Sequence, residues 1–305
     1  MQRFILIRFV QAILALWVVS IIVFGLARIT GNPLDTLLSF EAGPEQRAAV
    51  EAYWGLDKSL PEQYLVFVGN ALTGDFGQSF KWRQPVMDLV KDRFVNTVVL
   101  AAVAVAVASA IAIPLGVMSA VKRDSPLDVV GKIIALLGQS APPFWLGLMF
   151  MWIFAVKFDL VPTSGKAGIS TYILPSAALG LFWVAALMRL VRSALLDELD
   201  SEYVKLARIK GLPEWKVIWK HVLRNAAIAP LTYFGIILGS LLLGSVSIET
   251  VFAWPGLGFL AFQAVFARDY PLVQAIVMVF AVLFIMLNLV VDILYAYLDP
   301  RIRYR

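Results

Sequence analysis

Six long stretches of the chain carry no charged residue, and each is bounded by charged residues. They span positions 9–27, 94–121, 133–156, 167–188, 225–248 and 270–291. A helix needs about 20 mostly apolar residues to cross the hydrocarbon core of a membrane, where buried charge is costly. The pattern therefore predicts an all-α polytopic membrane protein with six transmembrane helices.

A seventh uncharged stretch, 250–267, contains Trp254-Pro255-Gly256 near its start. Proline and glycine interrupt a helix at this point and leave two arms that are too short to span. We expect this stretch to form an interfacial or re-entrant segment.

The distribution of Lys and Arg predicts the orientation. With six spans and an internal N-terminus, the two termini and the short loops on the inner side together hold sixteen of these residues, and the short outer loops hold three. Basic residues concentrate in cytoplasmic loops, so both termini are predicted to be cytoplasmic. The first uncharged stretch is longer than the usual core of a signal peptide, which favours an uncleaved anchor over a cleaved signal.

The composition agrees with this class and excludes several others. Hydrophobic residues make up 60% of the 305 residues, charged residues make up 15%, and the net charge is +5. This balance excludes a disordered chain and an ordinary soluble enzyme. The absence of cysteine excludes disulfides and thiolate metal sites, and the single histidine, His221, excludes a multi-histidine site.

Two segments outside the predicted spans differ in character. The external segment, 29–93, carries several Gly and Pro turn signals and two short helical patterns at Pro44–Trp54 and 61–72, each opened by a proline. We expect a small cap on the external ends of the helices.

The internal loop, 189–224, combines basic residues with helical apolar stripes. Gly211 and Pro213 separate two predicted helices, because glycine ends helices and proline begins them. The first stripe consists of Leu196, Leu199, Tyr203, Leu206 and Lys210, and the second consists of Trp215, Ile218, Trp219 and Val222.

Three interpretations of this loop compete. It could lie as an amphipathic hairpin on anionic lipid, dock a cytoplasmic partner, or bind nucleic acid as a helix-turn-helix. The nucleic-acid interpretation is disfavoured because both ends of the loop enter the membrane. The residues alone leave membrane lipid and a protein partner about equally supported.

A family resemblance favours the protein partner. The stretch 202–213, EYVKLARIKGLP, resembles the cytoplasmic coupling motif of ABC importer permeases. The following 220–226, KHVLRNA, is similar to its continuation in the dipeptide, oligopeptide and nickel permease family. Further blocks resemble the first, B-type, membrane subunit of that family in the same order, at 55–64, 74–79, 143–147, 249–258, 267–271 and 292–301.

The resemblance implies a type I ABC importer permease fold in a bacterial or archaeal cytoplasmic membrane. It divides the chain into a first helix (1–28), the external segment (29–93), a five-helix core (94–298) with the internal loop 189–224, and a cytoplasmic tail (299–305). The implied partners are a second homologous permease, two ATP-binding cassette subunits and an extracytoplasmic binding protein. ATP and Mg would be bound by the partner subunits, and the chain itself lacks a phosphate-loop motif.

The function implied by the resemblance is ATP-driven import, with di- or oligopeptides as the default cargo. Nickel chelates, glutathione, and opines or sugars are alternatives within the class, and a stand-alone channel or carrier is the alternative outside it. A membrane-embedded enzyme is disfavoured, because the uncharged stretches hold no paired carboxylates and one histidine cannot form an HExxH site.

The resemblance also implies the coupling residues. In this picture Leu206, Ala207 and Leu212 supply an apolar contact, Arg208 and Lys210 set the docking register, and Gly211 either permits close approach or only caps the helix. The full predicted coupling set is Glu202, Tyr203, Lys205, Leu206, Ala207, Arg208, Lys210, Gly211 and Leu212.

Residues of the translocation pathway are predicted on a different basis. Gln139 and Ser140, followed by Pro142 and Pro143, interrupt the third span, and polar groups at such a break face protein or water. Glu249 stands at the end of an uncharged stretch, where an ionisable residue at membrane depth suggests function. A structural kink and an interfacial anchor are the respective alternatives. No resident metal site is expected.

Overall fold

The computed structural model of the chain describes residues 2–29 and 43–298. The predicted tail 299–305 and part of the external segment, 30–42, lie outside the described residues. Within the described part the secondary structure is helical, apart from an isolated bridge between Gln78 and Pro85. The helices are α1 (Gln2–Ile29), α2 (Pro44–Trp54), α3 (Leu60–Thr73), α4 (Val86–Val121), α5 (Pro126–Ser140), α6 (Pro143–Phe150), α7 (Ser170–Leu199), α8 (Glu202–Ile209), α9 (Glu214–Lys216), α10 (Leu223–Ala226), α11 (Ile228–Val251), α12 (Leu257–Phe266) and α13 (Tyr270–Leu298), with π-helices at Met151–Lys157 and Val217–Val222.

Four of the described helices, α1, α4, α7 and α13, each contain a stretch that is long and apolar enough to cross a membrane. Helices α5 and α6 together make a fifth candidate, which bends by 104° at the break between them. A 24-residue helix, α11, occupies the remaining predicted stretch. The helical class is therefore confirmed, whereas the count of six spans stays a prediction.

The chain divides into two compact units. The first contains residues 1–97 and 255–289, and holds the external segment. Helix α3 packs on α1, where the Tyr64 ring meets Phe24 edge-on at 5.5 Å and the Tyr64 and Ser20 hydroxyls lie 2.8 Å apart. The two predicted short helices are confirmed, and Gly55 and Gly74 end them with left-handed backbone angles.

A buried carboxylate fixes the end of the external segment. The Asp269 side chain accepts hydrogen bonds from the Ser79 hydroxyl and from the Lys81 backbone N–H, the latter at 3.1 Å. Its other oxygen accepts from the Leu272 N–H at 3.4 Å, in the first turn of α13. Asp269 therefore caps α13 and holds residues 79–81 beside it.

The second unit contains residues 98–254 and 290–305 and is arranged around α7, which packs against α5, α6 and α11. Small residues allow the close approaches. A Cβ on Gly116 would lie 2.8 Å from the Met188 carbonyl oxygen, and one on Gly180 would lie 2.9 Å from that of Ala104. Such contacts between small residues and facing backbone are typical of helices packed in membranes.

Both predicted helix interruptions are confirmed. Helix α5 ends at Ser140, and α6 begins at Pro143 after the sharp bend. Helix α11 ends at Val251, and the short apolar helix α12 begins only at Leu257, after the Trp-Pro-Gly turn.

Candidate functional site

The internal loop contains a break, at residues 200–201, that the sequence pattern did not predict. The stripe from Leu196 to Lys210 predicts one continuous helix, but α7 ends at Leu199 and α8 starts at Glu202. Ser201 between them has an extended backbone, and its hydroxyl donates a hydrogen bond to the Glu198 carbonyl at 2.6 Å. Because an extended residue interrupts the helix, the predicted continuous stripe is wrong.

Tyr203 ties the restarted helix to the preceding one. Its hydroxyl donates to a Glu198 carboxylate oxygen at 2.7 Å. Burial, together with this neighbouring carboxylate, raises the pKa of Tyr203 above its usual value. The side chain therefore acts as a neutral hydrogen-bond donor that fixes α8 against the end of α7.

The restart of the helix at Glu202 changes which residues face outward. Val204 and Ala207 are buried in a core shared with α4 and α7. Leu206 is 52% exposed and Ile209 is 80% exposed. The structure thus places Ala207 beneath the surface that the sequence assigned to it, and adds Ile209, which the sequence pattern did not select.

The turn after α8 is closed by backbone and side-chain bonds. Gly211 has a φ of 72°, and the Leu212 N–H bonds back to the Ala207 carbonyl at 3.3 Å. This geometry favours glycine and confirms its predicted role as a helix end. Arg208 donates to both carboxylate oxygens of Glu214, at 2.7 and 3.3 Å, and this pairing raises the pKa of Arg208.

The second arm of the loop also departs from the predicted stripe. Val217, Ile218 and Val222 are buried, whereas Trp215 is 63% exposed and Trp219 is 47% exposed. The segment Val217–Val222 is a π-helix, in which residues five apart, such as Val217 and Val222, share a face. The predicted stripe assumed α-helical spacing and is therefore wrong at both tryptophans.

These observations define an exposed apolar surface, called here the loop tip. It consists of Leu206, Ile209, Leu212 and Trp215. Lys205 lies beside it and bonds to Glu202 at 2.8 Å, and Lys210 is exposed at the end of α8. An apolar surface of this kind, bordered by charges, is typical of a contact with another molecule.

The predicted pathway residues all lie in the second unit. Gln139 is half-buried, and the exposed Ser140 hydroxyl donates to the Leu136 carbonyl of its own helix at 2.7 Å. Glu249 is fully buried in α11. A Cβ on Gly147 of α6 would come within 3.4 Å of both Ile248 and Phe252 of the segment around Glu249, so this helix and the Glu249 segment pack closely.

A buried ion-pair cluster was missed by the sequence analysis. The Asp128 carboxylate is fully buried and accepts hydrogen bonds from Arg192 Nε and Nη2 at 2.9 and 3.0 Å. It also accepts from Lys132 Nζ at 2.8 Å and from the Ser119 hydroxyl. We call Ser119, Asp128, Lys132 and Arg192 the helix clamp. Asp128 follows the helix-capping Ser125 and stands four residues before Lys132, a recognisable signal that treating charges as span boundaries overlooks.

Among the described residues, no group of three or more His, Cys, Asp or Glu side chains could hold a metal ion. The candidate functional site of this chain is the loop tip together with the packed helices behind it, because exposed apolar side chains there lie on a loop whose other face is packed into a shared core.

Comparison with known proteins identifies similar sequences along the whole chain. The family model described as "Binding-protein-dependent transport system inner membrane component" matches residues 112–304, and its N-terminal counterpart matches residues 1–101. The chain is 38% identical over 306 residues to the glutathione transport system permease protein GsiC of Escherichia coli, with both chains covered completely.

Two further similarities agree. The dipeptide transport system permease protein DppB of Alkalihalophilus pseudofirmus is 36% identical over 314 residues, covering 93% of this chain and 94% of the relative. A solved structure described as an amino acid ABC transporter with histidines has a TM-score of 0.56 at 15% identity, covering 69% of this chain and 94% of that one. This last likeness concerns the fold.

Proposed function

Since this chain belongs to the family of binding-protein-dependent transport system inner membrane components, we propose that its loop tip is the surface on which an ATP-binding subunit docks. The chain is a permease subunit of an ABC importer, in a family that works with ATP-binding and substrate-binding proteins. The proposal concerns which residues make the contact and what the importer carries.

The exposure of the loop tip is the observation that supports docking. Ile209 and Trp215 are exposed although the opposite face of the same loop is packed into the core. Burying one such side chain fully is worth about 1.5–3 kcal/mol, so a partner with an apolar cleft would gain by covering them. Leu206 and Leu212 contribute to the same surface.

The other predicted coupling residues receive revised roles. Ala207 supports α8 from below, and Tyr203 fixes its angle. Arg208 holds Glu214 and so shapes the turn, while Gly211 provides the left-handed backbone that the turn requires. The charged residues Glu202, Lys205 and Lys210 are exposed, and their charges can orient the partner on the loop tip.

Movement follows from how the loop is packed. Val204, Val217 and Val222 share one apolar core with Leu195 and Val191 of α7. When ATP binding draws the ATP-binding subunits together, the loop and α7 would move as one body, since closely packed interiors deform little. The helices would then switch access from the external to the internal side.

A short peptide is the cargo we favour. Two relatives are named for glutathione and dipeptide transport, and both cargoes are short peptides. Gln139, Ser140 and Glu249 remain the proposed pathway residues, with the fully buried Glu249 the strongest of the three. Uptake of a nickel chelate, an opine or a sugar by the complete importer would instead identify one of these alternatives as the cargo.

The proposed assembly places this chain beside a second homologous permease, above two ATP-binding subunits and below an extracytoplasmic binding protein. Both termini would be cytoplasmic, because the basic loops would then face the cytoplasm. This orientation places the loop tip on the side where ATP is available.

Cross-linking tests the docking surface directly, because the chain has no cysteine of its own. Ile209→Cys is compared with Leu72→Cys, whose native side chains are 80% and 83% exposed, in the complete importer in native membranes. We expect a photoreactive cross-linker attached to the cysteine to join position 209, but not 72, to an ATP-binding subunit. Attachment of position 209 to lipid alone would overturn the docking proposal and favour the membrane-bound hairpin.

A further inference from the structure

The helix clamp joins three helices through one carboxylate. Asp128 belongs to α5, Arg192 to α7 and Ser119 to α4, and the N–H of Asp124 in the turn before α5 also bonds to the carboxylate at 3.1 Å. We propose that Asp128 is a positioning residue for transport: it fixes α4, α5 and α7 in register, so that movement of the internal loop reaches the bend between α5 and α6. This inference rests on the proposed docking function.

The helices pack closely beside the clamp. A Cβ on Gly131 of α5 would lie 2.6 Å from the Met188 methyl, and a Cβ on Gly116 of α4 would lie 2.8 Å from the Met188 carbonyl and from Val191. Met188 precedes Arg192 by four residues, so these close contacts between the three helices lie about one turn from the ion pair.

The clamp lies between the two features that transport must connect. On one side, α7 continues towards the internal loop, and Leu195 shares a core with Val204 and Ala207. On the other side, α5 runs from Asp128 to the bend at Ser140, and α6 then packs through Gly147 against the segment around Glu249. The contacts are therefore continuous from the loop to the buried glutamate.

The chemistry of the clamp suits the fixing of register. Apolar packing resists separation of helices but tolerates small shifts along their axes, whereas a forked guanidinium–carboxylate pair requires a defined geometry. The Arg192 fork contacts both carboxylate oxygens, and the Asp128 side chain is fully buried. A shift of α5 against α7 would break both bonds at once. It would leave the mostly buried Arg192 guanidinium without its counter-charge.

The test uses the complete importer with its binding protein in proteoliposomes. ATP hydrolysis and uptake are measured together, with glutathione and dialanine as probes, so that uptake per ATP is obtained. The main variant is Asp128→Asn combined with Arg192→Gln, which removes the forked pair and keeps the net charge of the clamp, while the half-exposed Lys132 is left to solvent. Arg123→Gln is the control, because it removes an exposed ion pair near the clamp.

We expect the double variant to assemble and hydrolyse ATP, with uptake per ATP reduced about tenfold, within the range for coupling between distant sites. The control should match the wild type. Unchanged uptake per ATP in the double variant would overturn the proposal, as would loss of assembly, which would make the clamp purely structural. If the binding protein stimulates ATP hydrolysis by the wild type but neither probe is taken up, the proposed cargo is wrong. The clamp would then be tested by the fraction of this stimulation that the double variant loses.

Discussion

The helix clamp and the loop tip belong to the same unit, but the clamp buries its charged groups whereas the loop tip exposes its apolar side chains. At the clamp, a fully buried carboxylate accepts five hydrogen bonds and the neighbouring glycines allow tight packing. At the loop tip the apolar side chains face outward, and the Arg208–Glu214 pair next to them in the chain is about half exposed. The clamp is satisfied within the chain, whereas the loop tip has apolar surface that only another molecule can cover.

This difference separates two kinds of residue in a transport subunit. Residues of the clamp should affect stability first, because their partners all lie in the chain. Residues of the loop tip should affect assembly first, because burial of their side chains depends on a partner. Stability measurements on single variants can sharpen or break this separation.

The largest loss of stability is expected for Asp128→Asn. The change leaves the mostly buried Arg192 guanidinium without its counter-charge, and breaking a buried pair on one side costs about 3–5 kcal/mol. Thermal unfolding of the purified chain in mild detergent should show a clearly lower midpoint than for Arg123→Gln. Equal midpoints for the two variants would show that the clamp is no more stabilising than an exposed pair.

A smaller loss is expected for Gly116→Ala. The new Cβ would lie 2.8 Å from the Met188 carbonyl oxygen, so the helices must move apart, and overpacking of this kind costs about 1–3 kcal/mol. Gly69→Ala is the control, because its Cβ would meet nothing within 4 Å. The comparison fails if both variants unfold at the same temperature.

Gly211→Ala should cost about 1 kcal/mol, through backbone strain alone. Gly211 has a φ of 72°, but its new Cβ would have open space around it. Gly211→Asn should be tolerated better, because asparagine accepts this conformation. The ranking Gly, then Asn, then Ala in unfolding temperature checks the cause, and Ala equal to Gly would contradict it.

The smallest effect is expected for Arg208→Gln. The paired side chains are 43% and 52% exposed, and exposed pairs contribute about 0.2–1 kcal/mol. The difference from the wild type should shrink further at high salt, because salt screens exposed charges. A loss as large as that of Asp128→Asn would mean that the two regions do not differ as described.

The sequence predicted the helical class, the two helix interruptions and the position of the loop, because each rests on a local signal. Uncharged stretches mark helices long enough to span, and Trp254-Pro255-Gly256 or the paired prolines mark breaks. These signals act within a few residues, so they hold whatever surrounds the chain.

The orientation of the loop residues could not be predicted in the same way. Periodicity predicts which residues share a face only within one continuous helix, and the helix is interrupted at Ser201. This interruption placed Leu206 outward and Ala207 inward. Asp128 was missed for a different reason: a method that treats every charge as the end of a span cannot recognise a charge that is buried and paired across three helices.

The π-helix Val217–Val222 contains one residue more than an α-helix would need over the same stretch. A π turn holds more residues than an α turn over the same stretch, so its register depends on an extra position in the sequence. Six residues in a π-helix turn through nearly the same angle as five in an α-helix, so deleting one residue here would restore ordinary spacing and leave the two flanking arms facing nearly as before. The π-helix therefore takes up one residue locally, and the direction in which Trp215 points should change less after a one-residue deletion here than after one within an α-helix.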